Sequence, residues 1–360
     1  MRLVGLCLAA LLAGCVVAPS PPDLAAAPQH LATAPAAAGP ALAAEAFIAA
    51  DGAPLPLRAW LPPAEPRAVI LALHGFNDYS NAFAGPGSAW AAAGIATYAY
   101  DQRGFGGAPE RGRWAGARQL AGDATDAIHL LRQRHPGVPL YLLGESMGGA
   151  IAILAASGRS GAPVPRVEGV ILVAPAVWGR ATMSVFERVG LWLADFLPAV
   201  GWSPNLLPVR ISPSDNIAML RALGADPLVI KRTRADTLNG LVDLMSAALN
   251  AAPWFEAPLL LLYGERDEIV PHAPMARFVA ALPARARARE RVALYPQGYH
   301  MLLRDLGAAA PIGDIAAWIG ASAAALSSGA DAEARRRPCR RNGACRRRRS
   351  GDRADRVTCL

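Results

Sequence analysis

A chain of 360 residues with 53% hydrophobic content can bury the core of one large domain or two ordinary ones. Its formal charge of +8 is an end effect: residues 331–360 hold eleven arginines against four acidic residues, +7 in all. The remainder is nearly neutral, which excludes a nucleic-acid-binding surface spread over the body.

At the N-terminus, Met1-Arg2 leads into an apolar run from Leu3 to Ala13. That run is too short to span a bilayer as a folded helix and fits the core of a secretory signal. It ends in Leu12-Ala13-Gly14-Cys15, which resembles the lipobox of bacterial lipoproteins. The resemblance implies removal of residues 1–14, lipidation of Cys15 and attachment to a membrane. Val16 in place of Asp implies the outer membrane, facing the periplasm. Residues 15–43 are nearly all Ala, Pro, Ser and Gly and read as a tether. Cys7, Cys15, Cys339, Cys345 and Cys359 all lie outside the body, which therefore offers no disulfide, thiol nucleophile or cysteine metal site.

Residues 44–325 alternate short β-rich runs with helical patterns. Ala46–Ala49 and Leu55–Leu61 flank Asp51-Gly52 as a hairpin. Val69–Leu73 predicts a buried strand ending in His74-Gly75, Ser88–Ala93 a helix, Ile95–Tyr100 a strand and Leu120–Gln133 a helix stopped by His135-Pro136-Gly137. Further strands are predicted at Val138–Leu143, Val170–Val173, Leu259–Tyr263 and Arg291–Tyr295, with a closing helix near Ile312–Ile319. Such alternation predicts an α/β fold, a mainly parallel sheet with helices on both faces and its site at the strand carboxyl ends. Residues 177–255 break the pattern as a long helical, aromatic insert. Val185, Val189, Leu193 and Phe196 share one helical stripe. The insert reads as a helical subdomain packed on the sheet, or as a cap whose inner face forms an acyl-chain pocket; the two are compatible. Residues 326–360 read as a disordered arginine-rich tail.

The densest chemical signal is Gly144-Glu145-Ser146-Met147-Gly148, between a buried strand and a run of small residues suited to a helix. Strand, tight turn and helix is the setting that exposes a serine nucleophile. A serine hydroxyl needs a base, and the base an acid to hold its tautomer. Among six histidines, His30 lies in the tether, while His129 lies within a helix and His135 at its end, both read as surface residues. His74 ends a strand and His272 opens a helix. His300 sits in a loop directly after the final strand and is the best general base. Asp267 follows the strand Leu259–Tyr263 and is the favoured acid, with Glu265 and Glu268 as local rivals. Glu145 is a tempting third carboxylate without a task.

The order Ser146, Asp267, His300 is that of the α/β-hydrolases. With Leu73-His74-Gly75-Phe76, Tyr100-Asp101-Gln102-Arg103-Gly104-Phe105-Gly106, the GESMGG elbow, Gly264-x-x-Asp267-x-x-Val270-Pro271 and Gly298-Tyr299-His300, the chain from Glu45 to Ser322 resembles the monoacylglycerol lipase and lysophospholipase branch of that superfamily, the serine aminopeptidase S33-like group. The resemblance implies an oxyanion hole from the backbone N–H groups of Phe76 and Met147. Asp101 and Arg103 would fix a turn. It further implies hydrolysis of a small amphiphilic ester without cofactor or metal. The same triad also serves peptidases and thioesterases, and a non-catalytic surface lipoprotein is the remaining alternative. After His74-Gly75 the chain reads FNDYSNAF, departing from the histidine-containing segment of many monoacylglycerol lipases. Acyl-chain length, head group and oligomeric state are not encoded in these motifs.

Overall fold

A computed structural model describes residues 39–194, 196, 201–202 and 211–336. The leader, Cys15, the tether before residue 39 and the arginine run beyond residue 336 lie outside the described residues. The elements begin with β1 (Ala41–Leu42), β2 (Ala46–Ile48), β3 (Pro54–Trp60), β4 (Ala68–Leu73), α1 (Ala84–Ala92), β5 (Ile95–Tyr100) and α2 (Ala117–Arg134). Next come β6 (Leu140–Glu145), α3 (Met147–Ala156) and β7 (Gly169–Val173). The insert holds α4 (Val185–Ala194), β8 (Gly201–Trp202), α5 (Ile217–Ala225), β9 (Thr233–Arg234) and α6 (Ala235–Ala251). The chain then returns to the sheet with β10 (Leu259–Gly264), α7 (His272–Ala281), α8 (Ala284–Arg287), β11 (Glu290–Tyr295), α9 (Ala309–Gly320) and α10 (Ala330–Arg336).

Among the described residues, nine strands form one sheet in the order β1-β2-β3-β5-β4-β6-β7-β10-β11. The first three are antiparallel, as is the β3–β5 pair; every pair from β5 to β11 is parallel. The parallel strands are apolar throughout because helices cover both faces. Side chains alternate across the pleat: Val69, Leu71 and Leu73 of β4 enter one core, and Ala68, Ile70 and Ala72 enter the other. The first core includes Ile128, Ile151 and Leu249 from α2, α3 and α6; the second is filled by Trp90 and Trp318 from α1 and α9.

Both body boundaries move outward from the expected 44–325. Ala41 and Leu42 already pair with Ile48 and Phe47. At the other end, Leu326 is buried and α10 packs on β11. The charged composition after residue 330 conceals a short amphipathic face, Ala330, Asp331 and Ala334, which is buried. Asp331 is tolerated there because Arg291 Nη1 reaches its Oδ2 at 2.7 Å, while Arg291 Nη2 donates to the Ser322 and Ala323 carbonyls.

The insert is also less uniform than its composition suggests. Val242, Met245 and Leu249 of α6 form a core-facing stripe, and α6 packs on α3. By contrast, Val185 and Val189 of α4, with Trp192 and Phe196, are exposed. The described members of the sequence's apolar stripe face outward and do not pack on the sheet; the Leu193 side chain lies outside the described residues. Periodicity identifies a face, not what it meets.

Removing one member of a buried ion pair strands the other's charge. Asp331→Ala is therefore expected to cost about 3 kcal/mol of unfolding free energy, read by urea denaturation; no change would show that α10 is not part of the cooperative body.

Candidate active site

β6 ends at Glu145 and α3 starts at Met147, so Ser146 alone makes the turn, at φ 52° and ψ −114°. An L-residue held there costs about 1–3 kcal/mol. Neighbouring backbone holds it: the Ser146 N–H donates to Val173 O and Ala176 N–H donates to Ser146 O, both at 2.9 Å. The flanking glycines are required by space. A Cβ on Gly144 would lie 2.3 Å from Gly148 O, and one on Gly148 would lie 2.0 Å from Leu73 O.

His300 and Asp267 reach this turn from the loops after β11 and β10. His300 Nε2 stands 3.0 Å from Ser146 Oγ, and its Nδ1 stands 2.8 Å from Asp267 Oδ2. A carboxylate can only accept, so Nδ1 carries the proton and Nε2 is left as acceptor for the serine hydroxyl. Asp267 is itself fixed, since its Oδ1 accepts from the Ile269 and Val270 N–H groups at 2.8 and 2.9 Å. Burial alone would depress the His300 pKa. The Asp267 carboxylate, by charge and by hydrogen bond, and then Glu145 outweigh burial and raise it, with Arg304 opposing.

Met147 opens α3, so its N–H has no helical acceptor four residues back. The loop after β4 lies beside it: a Cβ on Gly75 would sit 3.5 Å from Ser146 Cβ. Phe76 follows Gly75 in that loop. His74 anchors the loop from below. Its Nδ1 lies 2.8 Å from Gly75 O, and its Nε2 accepts from the Gln102 N–H at 2.9 Å, which requires a neutral ring with the proton on Nδ1. Burial lowers its pKa in the same sense. His74 is thus engaged in holding the backbone.

Comparison with known proteins places the fold in a family. The family described as serine aminopeptidase, S33, matches residues 64–307. The chain belongs to that family. It is 25% identical over 280 residues to a monoacylglycerol lipase of Mycolicibacterium smegmatis, covering 76% of this chain and 95% of the relative. It is 28% identical over 265 residues to the Homo sapiens monoglyceride lipase, covering 72% and 84%. In fold it is similar to the crystal structure of Paleococcus ferrophilus monoacylglycerol lipase, with TM-score 0.61 and 24% identity over 74% of this chain and 98% of that one. The S33 family and the α/β-hydrolase fold are thereby established, and the chain is similar to monoglyceride lipases.

Within this α/β-hydrolase the other charged candidates have different partners. Asp101 accepts from Ser80 N–H at 3.0 Å and Gly107 N–H at 2.8 Å, and Arg103 donates to Asp123 and Asp51. Both shape the turn after β5. Glu268 accepts from the Ser212 N–H, and the exposed His272 ring meets the edge of Tyr263. Glu265 lies in the turn after β10, where its N–H donates to Tyr295 O. His135 pairs with Tyr98 Oη, and His129 is exposed.

The divergent FNDYSNAF segment fastens the loop after β4 to the insert. Asn77, at φ 63°, donates from Nδ2 to Thr233 Oγ1 at 2.7 Å and accepts from the Ile230 N–H at 2.9 Å. Tyr79 Oη donates to Asp226 at 2.7 Å. The histidine loop is held likewise: Met301 N–H donates to Pro213 O, Asn216 Nδ2 to Arg304 O, and Ser214 Oγ to Asp305. The sequence signal for these contacts was the departure itself, a run of polar residues where the family pattern differs. A cavity of about 700 Å³ bordered by Trp90, Met219, Ile312 and Arg304 opens behind the histidine loop, and its described lining includes no triad residue.

Gly148→Ala is expected to lose about 3 kcal/mol of stability, read by urea unfolding, because its Cβ meets backbone that cannot yield. Ester turnover should fall on the acid side with a midpoint above the ordinary histidine value of 6.5, since protonated His300 cannot accept from Ser146. Glu145→Gln removes a charge that favours that protonation, so the midpoint of kcat/KM should move to lower pH.

Proposed function

We propose that the chain hydrolyses carboxylic esters, with monoacylglycerols or lysophospholipids as substrates. The observation that carries this reading is the continuous chain from Asp267 through His300 to Ser146, at 2.8 and 3.0 Å. Ser146 Oγ attacks the ester carbonyl as His300 Nε2 takes its proton. The Met147 and Phe76 amides receive the oxyanion, each such donor being worth about 3–4 kcal/mol of barrier. The imidazolium, held by Asp267, gives its proton to the departing alcohol. Water, activated by the same imidazole, then releases the fatty acid from the acyl-enzyme.

The substrate class rests on two further supports. Two relatives that it matches are named monoacylglycerol lipase and monoglyceride lipase. The outward face of α4, with Val185, Phe186, Val189 and Trp192 exposed, suits contact with an amphiphile. An exported protein attached through Cys15 to the outer membrane would meet such lipids on the periplasmic side.

Turnover of p-nitrophenyl esters, monoacylglycerols, lysophospholipids and aminoacyl anilides by wild type and Ser146→Ala tests the reading. Acyl-glycerol or lysolipid hydrolysis is expected, with kcat reduced about 10⁶-fold in the variant. Anilide cleavage without lipid hydrolysis would make the chain a peptidase. Equal turnover by both proteins, or no labelling of Ser146 by a fluorophosphonate, would overturn the mechanism.

A further inference from the structure

Three charged side chains that the reaction does not use meet behind the triad. Arg304 Nη2 lies 2.7 Å from Asp78 Oδ2 and 3.5 Å from Glu145 Oε2. The side chains are 12%, 6% and 3% exposed, so the cluster is largely buried. Each belongs to a different catalytic segment. Asp78 stands two residues after Phe76, Glu145 immediately before Ser146, and Arg304 four residues after His300. The next residue, Asp305, accepts from the Tyr299 N–H at 2.7 Å and from Ser214 Oγ at 2.6 Å, fixing the same loop from its other side.

Burying charge is costly, and apolar packing of similar volume usually serves stability as well or better. A buried cation close to carboxylates on two other segments does something apolar packing cannot: it couples their relative placement through charge. We propose that Arg304 is a positioning residue, which through Asp78 and Glu145 keeps the oxyanion loop, the nucleophile turn and the histidine loop in register for acyl transfer. The inference rests on the ester-hydrolase reading above. It adds that the three loops are held to one another directly as well as through the sheet. Misplacement of about 1 Å can cost on the order of 100-fold in rate, so loosening this contact should be visible in kcat before it is visible in binding.

The test compares wild type with Arg304→Lys, Arg304→Met, Asp78→Asn and the neutral triple variant Asp78→Asn/Glu145→Gln/Arg304→Met. It uses a short p-nitrophenyl ester, with active sites titrated by fluorophosphonate and melting temperatures recorded. Arg304→Met should lower kcat about 10- to 100-fold with KM within about twofold, and Arg304→Lys should recover part of the loss. Asp78→Asn, nearly isosteric, should lower kcat and weaken inhibition by a trifluoromethyl ketone, whose adduct mimics the tetrahedral intermediate. The triple variant has no stranded charge and should regain melting temperature without regaining kcat. This separates positioning from folding even where Arg304→Met alone does not fold. A triple variant with kcat within twofold of wild type overturns the proposal, as do losses that follow melting temperature across the series. If wild type itself neither labels nor turns over, the ester-hydrolase reading fails instead.

Discussion

Ser146 occupies a backbone region that its own side chain disfavours, and the architecture around the strand ends keeps it there. The turn is reached only because β6 and α3 approach so closely that positions 144 and 148 have no room for a side chain. The β7 loop then closes on Ser146 from both its amide and its carbonyl. A strained residue persists where its surroundings over-determine it. Here the surroundings are parallel strands buried on both faces, among the least deformable parts of a protein. The nucleophile is therefore as rigid as the sheet, and its partners must be brought to it.

Those partners arrive by a consequence of parallel topology. Every crossover returns the chain to the same edge, so the loops after β4, β6, β10 and β11 share one rim. Topology places loops to within several ångströms, whereas proton transfer needs hydrogen-bond distance. The difference is made up by local devices. Asp267 is pinned by two backbone N–H groups, the oxyanion loop by His74 and Gln102, and the histidine loop by Pro213, Ser214 and Asn216 of the insert. The insert consequently acts as a clasp: it bonds to the oxyanion loop through Thr233 and Asp226 and to the histidine loop through residues 213–216.

What could be read from the sequence divides along the same line. The serine turn was legible because its constraint is local, two glycines and a strand–helix junction within five residues. Ser146, Asp267 and His300, chosen for following strands, come within reach of one another because strand ends converge. The sheet was legible because burial on both faces writes itself as unbroken apolar runs. The pairing of Arg304 with Asp78 and Glu145 was not legible, since it joins segments far apart in the chain and no pattern marks which charges will be buried together. The outward orientation of α4 and the packing of α10 were missed for a related reason. A helix shows its apolar face in sequence, but the partner of that face is a tertiary fact, and in α10 the buried face among the described side chains is Ala330, Asp331 and Ala334.

The two carboxylates nearest His300 show how environment divides labour between like groups. Asp267 has one oxygen saturated by two backbone amides and the other spent on His300 Nδ1, so it can steer the ring without competing for the serine proton. Glu145 is buried with one weak contact to Arg304, and burial pushes its pKa up, with Arg304 opposing and Asp78 adding to the shift. Left without the arginine, an anion at that position would be held only by a histidine that must stay neutral to work. Arg304 relieves this conflict: it offers Glu145 a permanent cation and, by the same charge, lowers the tendency of His300 to take a proton from solvent. Arg304 thus opposes the upward shift that Asp267 and Glu145 impose on the base.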